Sequence, residues 1–178
     1  VVGKILECVY EPIFIRNSFG FRPNKSADGA IKAIYYSLKN NNRSNVVEID
    51  FAGYFNSIPH KKLIKIISNR ISDKRFKGLI GKFLRTGIFE ESGMLVIPED
   101  GTLQGSIMSP ILANVYLHYV LDEWFIRNYG SYNNIIVRYA DDAVFFFKKK
   151  EIADKFVSDL FERVKDYGLE LNEEKTKI

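Results

Sequence analysis

Asp141 and Asp142 stand side by side between two apolar runs, Ile135 to Tyr139 and Ala143 to Phe147, both rich in β-branched or aromatic residues. Two such runs separated by so few residues read as a β-hairpin, with both carboxylates at its tip. Neighbouring carboxylates repel one another unless a cation lies between them. Magnesium suits the place, because it takes oxygen ligands and commonly binds one or two carboxylates together with substrate phosphates. A further acid then has to arrive from elsewhere, and Asp50, closing the β-branched stretch Val46-Val47-Glu48-Ile49-Asp50, is the candidate. On its own an Asp-Asp pair is better explained as two turn-forming residues, so its company decides.

The elements that would position these acids follow from periodicity. Val1 to Ile15 reads as a helix leading into extended chain. Ser26 is placed to cap a helix whose apolar positions Ala27, Ala30, Ile31, Ile34, Tyr35 and Leu38 keep helical spacing, and the Asn40 to Ser44 cluster stops it. Val46 to Asp50 reads as a strand. Pro59 suits the first turn of a helix carrying Leu63, Ile64, Ile67 and Ile71, and a second helix carries Phe76, Leu79, Ile80, Phe83 and Leu84. Met94 to Ile97 reads as a strand entering a turn. The longest helical stretch starts at Ser109-Pro110 and reaches about Tyr129. A last helix, Glu151 to Tyr167, is closed by Gly168, and Leu169 to Leu171 returns as a short strand. The pattern predicts an α+β fold, an antiparallel sheet covered by helices on one face.

Composition sets wide bounds. The 178 residues, 46% hydrophobic, are enough for one sizeable core. The net charge of +4 and pI near 9.0 lean mildly toward a polyanionic partner. Basic clusters at Lys61, Lys62 and Lys65, at Lys74 to Arg85, at Lys148 to Lys150 and at Lys175 and Lys177 can track a phosphate backbone, although each alone is equally a solvated helix face. A single cysteine excludes an internal disulfide framework, and with two isolated histidines it excludes a Cys/His zinc site. A single cysteine suits an intracellular setting, and since no apolar run approaches the ~20 residues of a membrane span, no membrane partner is expected. Oligomeric state is open. The chain reads as a piece of something longer.

Five segments, in order along the chain, resemble the blocks of reverse transcriptases in the form typical of group II intron proteins. Val137-Arg138-Tyr139-Ala140-Asp141-Asp142 matches the catalytic box, and Thr102 to Leu117, with Gln104-Gly105 near its start, resembles block four. Asp50-Phe51-Ala52-Gly53-Tyr54-Phe55-Asn56-Ser57-Ile58-Pro59-His60 is similar to block three. Phe19-Gly20-Phe21-Arg22-Pro23 with Ser26 is similar to block two, and Gly168 to Asn172 with Lys175-Thr176 to block six. One departure is Leu103, where the family usually has proline ahead of Gln104-Gly105; the carboxylates are untouched.

The resemblance implies a right-hand polymerase palm with part of the fingers and no thumb, in one core: residues 1–25 and about 60–104 finger-like, about 26–59 and 105–178 palm. It implies RNA-directed DNA synthesis from deoxynucleoside triphosphates on an RNA template and a DNA or RNA primer, with the protein's own intron RNA as a further partner. Asp50, Asp141 and Asp142 would hold two Mg2+ ions, Mn2+ substituting, with the Phe51 backbone carbonyl as an added ligand. Phe55 would lie under the sugar of the incoming nucleotide, with Gln104, Gly105, Ala52, Gly53 and Tyr54 around it. Tyr139, Arg22 and Lys175 are expected near template or primer, Arg22 with a structural clamp as an equal alternative, and Asn114 is expected to hydrogen-bond within the palm. The rival from another class is an RNA-binding splicing scaffold; reverse transcriptases attached to CRISPR or phage-defence systems share much of the wording. Intact Asp50, Asp141 and Asp142 favour the enzyme.

Overall fold

The computed structural model describes residues 1–39, 44–86, 88–89, 95–96, 100–102, 108–130 and 133–177. Helix α1 (Val2–Tyr10) passes through a 3₁₀ turn, Glu11–Ile13, into the block-two loop. Helix α2 (Ala27–Lys39) follows, then strand β1 (Asn45–Ile49), a short helix α3 (Tyr54–Ser57), α4 (His60–Ile67) and α5 (Lys74–Leu84). Strands β2 (Ile88–Phe89) and β3 (Leu95–Val96) pair with each other. The long apolar stretch becomes α6 (Ser109–Leu117), a π-helical turn at His118–Asp122, and α7 (Glu123–Tyr129). Strands β4 (Ile135–Tyr139) and β5 (Asp142–Phe147) and helix α8 (Lys150–Asp166) complete the order.

The main sheet is antiparallel in the order β1-β5-β4. Because side chains alternate across a strand, its two faces follow from the register. Val47, Ile49, Ala143, Phe145, Phe147 and Ile136 join the principal core with residues of α1, α4, α6, α7 and α8. Phe125, Phe145, Phe147 and Phe156 lie there with ring centroids 4.5 to 6.0 Å apart, so aromatic packing ties α7, β5 and α8 together.

The opposite face departs from expectation. It carries Val46, Val144, Phe146, Val137 and Ile135, and these pack under α2 with Phe19, Ala30, Ala33 and Ile34. Helices therefore cover both faces of the sheet. The orientation of α2 differs too: Ile31, Tyr35 and Leu38 are 64, 54 and 50% exposed, while Ala30 and Ser37 are buried. Ala30 and Ala33, with Ile34, form the face of α2 that packs on the sheet, small residues letting the helix approach closely. Ser26 does cap α2, its Oγ accepting from the Gly29 amide at 3.1 Å. Leu169–Leu171 forms no full strand; Leu171 makes a single antiparallel bridge to Phe51, and Lys177 another to Glu48.

Candidate active site

The hairpin loop is two residues, Ala140 and Asp141, because Asp142 already pairs with Tyr139 as the first residue of β5. Ala140 takes a left-handed conformation, φ 56°, as such tight loops require. On the other side of β5 the register runs to Ile49↔Ala143, so Asp50 follows one step beyond, level with Asp142 and on the same face. Two carboxylates from neighbouring strands thus converge beside Asp141. Burial comes first in pushing the Asp142 carboxyl above the usual carboxylate range, and the negative charges of Asp141, Asp50 and Glu48 add to it, against Lys175.

A cation already leans on this cluster. Residues 170–177 run along the free edge of β1: the Ala52 amide donates to Glu170 and the Asn172 amide to Asp50, at 2.9 and 2.8 Å. A turn at Asn172–Thr176, closed by Thr176 donating to the Asn172 carbonyl at 2.9 Å, lifts Lys175 over the acids. Its Nζ stands 3.2 Å from Asp50 Oδ2. Since Asp50 and Ala52 direct their backbone groups to block six, those of Phe51 between them point away from it. Among the described residues no group of three or more His, Cys, Asp or Glu forms a ready-made metal cage. The oxygen-only donor set, its mutual repulsion and the ammonium standing in for positive charge are what a hard divalent cation shared with substrate phosphates would need.

Beneath the turn lies a part of the site that sequence reasoning missed. Arg138, fully buried, grips Asp122 with Nε and Nη2 at 2.8 and 2.7 Å. Its Nη1 donates to Asn114 Oδ1 at 2.9 Å and to the Ala140 carbonyl at 2.7 Å. Asn114 in turn donates to the Gly20 carbonyl at 2.8 Å, tying α6 to the block-two loop. Burial would raise the Asp122 carboxyl, but the Arg138 guanidinium and His118 together outweigh it and hold the group below its ordinary value. The signal was a charged residue inside the most apolar helical stretch of the chain. The π-turn carries Asp122, and Arg163 takes up the Tyr119 and Val120 carbonyls there at 3.2 and 3.1 Å.

Other expected site residues divide. Ala52 and Gly53 lie exposed beside Asp50, Gly53 at φ 58°. Phe55 is half-buried, edge-on to Phe21 with centroids 6.3 Å apart. Tyr54 is placed otherwise: its ring is in the core and its hydroxyl donates to the Ala113 carbonyl at 2.6 Å, so only its backbone can meet a nucleotide. Arg22 is engaged as a clamp within the chain. Its guanidinium binds Glu11 at 2.7 Å and the Ile15 and Ser18 carbonyls at 2.7 Å each, with its side chain 5% exposed. Tyr139 is exposed on the face of Asp142. Gln104 and Gly105 lie outside the described residues, but Thr102 just before them is tied to Phe55 by its amide, 2.6 Å from the Phe55 carbonyl.

Residues 1–178 match the family model described as reverse transcriptase (RNA-dependent DNA polymerase). Over 131 residues the chain is 46% identical to the 91 kDa protein in the cob intron of Schizosaccharomyces pombe, covering 74% of this chain and 16% of that protein. Over 117 residues it is 42% identical to the group II intron-encoded protein LtrA of Lactococcus lactis, covering 66% of this chain and 19% of LtrA. The chain thus spans less than a fifth of either relative. Its fold is similar to that of apo telomerase from Candida tropicalis, with a TM-score of 0.76 and 16% identity over 99% of this chain and 39% of that one.

Proposed function

This chain belongs to the reverse transcriptase family, and on that premise we propose that its protein is an RNA-directed DNA polymerase, adding deoxynucleotides to a primer 3′-hydroxyl on an RNA template. The observation that carries the reading is the convergence of Asp50 and Asp142 from neighbouring strands beside Asp141, on a face open to a substrate. Asp50, Asp141 and Asp142, with the Phe51 carbonyl, are the groups to hold two Mg2+ ions, or Mn2+ in their place. When bound, such ions lower the pKa of the attacking hydroxyl and neutralise the triphosphate and leaving pyrophosphate.

The chain's own residues do the positioning. Arg138 fixes the turn from below. Lys175, now paired with Asp50, offers its ammonium to a triphosphate arriving at the same place. Exposed Ala52 and Gly53 leave room for close approach, and the Phe55 ring excludes a 2′-hydroxyl by bulk. By the family resemblance, Gln104 and Gly105 are the further residues proposed to meet the nucleotide. The identity to intron-encoded proteins favours the protein's own intron RNA as partner, and a cytoplasmic ribonucleoprotein is the setting proposed with it.

The test is Asp141→Asn with Asp142→Asn in the full-length protein, read by primer extension on an RNA template and by RNA filter binding at several salt concentrations. Extension should be abolished and RNA affinity nearly kept, because affinity rests on dispersed lysines and arginines. Persisting extension overturns the assignment of the acids. A wild type that never extends a primer but binds and splices one RNA establishes the scaffold reading instead.

A further inference from the structure

Four non-glycine residues among those described have positive φ: Phe21, Asn24, Asn133 and Ala140. Asparagine tolerates this region; a bulky aromatic rarely adopts it. Ala140 is explained by its hairpin loop. Phe21, at φ 54°, has no such local reason, and its ring is not buried in return: it is 57% exposed.

The conformation is imposed by anchors on both sides. Before it, the Phe19 amide donates to the Arg138 carbonyl at 2.8 Å and the Gly20 carbonyl accepts from Asn114 at 2.8 Å. Gly20 lies so close to the catalytic turn that an added Cβ would meet the Ala140 nitrogen at 2.3 Å. After it, the Arg22 guanidinium is locked to Glu11, Ile15 and Ser18. The loop is therefore pinned against the turn that carries Asp141, and the residue held in strain between the pins presents its ring outward. That ring stands at 87° to the Phe55 ring. A strained, over-determined backbone holding up an exposed aromatic beside a reaction centre calls for a functional reason.

We propose that Phe21 is a nucleobase-stacking residue, its ring supporting a base at the position where the nucleotide is added. The assignment rests on the polymerase reading. Flat exposed rings bind bases of any sequence by stacking, and Phe55, assigned to the sugar, sits beside it where the attached base would continue. The base is either that of the incoming nucleotide or its partner in the template.

Single-nucleotide addition by the full-length protein tests this, with Phe21→Gly and Phe21→Tyr beside wild type. Glycine removes the ring and relieves the backbone, so the Tm of Phe21→Gly should equal or exceed that of wild type. Its KM for the deoxynucleotide should rise roughly tenfold, while Phe21→Tyr stays within about twofold of wild type. Repeating the assay on a template abasic opposite the incoming nucleotide assigns the base. A KM difference that persists there places the ring on the incoming base, and one that vanishes places it on the template base. An unchanged KM for Phe21→Gly overturns the proposal, as does a rise accompanied by a fall in Tm, which makes Phe21 a packing residue. A wild type that adds no nucleotide overturns the polymerase reading itself, whereas a glycine variant as active as an active wild type overturns only this one.

Discussion

Arg138 donates from Nη1 to the carbonyl of Ala140 at 2.7 Å, so a guanidinium in the core props up the turn that carries Asp141 and Asp142. The same side chain closes a fork on Asp122, and both partners are fully buried. Removing one member of a buried pair leaves the other charged and desolvated, which costs about 3–5 kcal/mol. Arg138→Met should therefore lower the denaturation midpoint strongly, as measured in urea. The double variant Arg138→Met with Asp122→Leu should recover much of that stability. It should not recover primer extension, because the Ala140 carbonyl has still lost its donor. Full recovery of extension in the double variant would show that Arg138 only packs.

Gly20 gives a second handle on the same turn. A methyl group there meets the Ala140 backbone at 2.3 Å, and backbone cannot swing aside as a flexible side chain does. Gly20→Ala should cost roughly 1–3 kcal/mol by overpacking and lower extension at least about tenfold. Thermal unfolding and single-nucleotide addition measure the two, and an unshifted Tm would contradict the close approach.

Asp142 yields a pH prediction. Burial first, and then Asp141, Asp50 and Glu48, raise its carboxyl pKa in the folded protein. A carboxyl raised on folding contributes stability below its unfolded pKa and loses it as pH climbs through the raised folded value. At neutral pH the ionised group therefore opposes folding. Asp142→Asn should raise Tm at pH 7, with the gain fading as pH falls through the range in which the wild-type carboxyl takes up its proton. Extension should be lost, and divalent-cation binding by the wild type should weaken over the same acid range. A stabilisation independent of pH would point to a cause other than charge.

How much of this was legible in sequence depended on the range of the interaction. β1, the β4–β5 hairpin and the Ser26 cap follow from local patterns, whereas the pairing of β1 with β5 is long-range and local patterns do not dictate it. The face of α2 was misread because hydrophobicity alone favours burying Ile31, Tyr35 and Leu38, whereas close approach to a flat sheet favours Ala30 and Ala33. The Arg138 to Asp122 pair was invisible, since periodicity says nothing of which buried charge meets which. The clamp made by Arg22 could not be read from sequence, because its partners Glu11 and the Ile15 and Ser18 carbonyls meet it only through the folded loop.

Phe55 supplies the last prediction. Its carbonyl accepts from the Thr102 amide at 2.6 Å and its ring lies edge-on to Tyr54 as well as Phe21, so neither backbone nor ring is free to swing away from an incoming sugar. Selectivity of this kind acts by a clash with the 2′-hydroxyl, and a clash vanishes with the group that makes it. Phe55→Val keeps an apolar side chain but removes the ring, so deoxynucleotide addition should fall only severalfold. Ribonucleotide addition should rise, narrowing discrimination by at least about tenfold, the scale of ~1.4 kcal/mol of lost repulsion. Competing single additions of ribo- and deoxynucleoside triphosphates on one primer-template measure the ratio directly. If the ratio holds while both additions slow together, Phe55 supports the fold and another group selects the sugar.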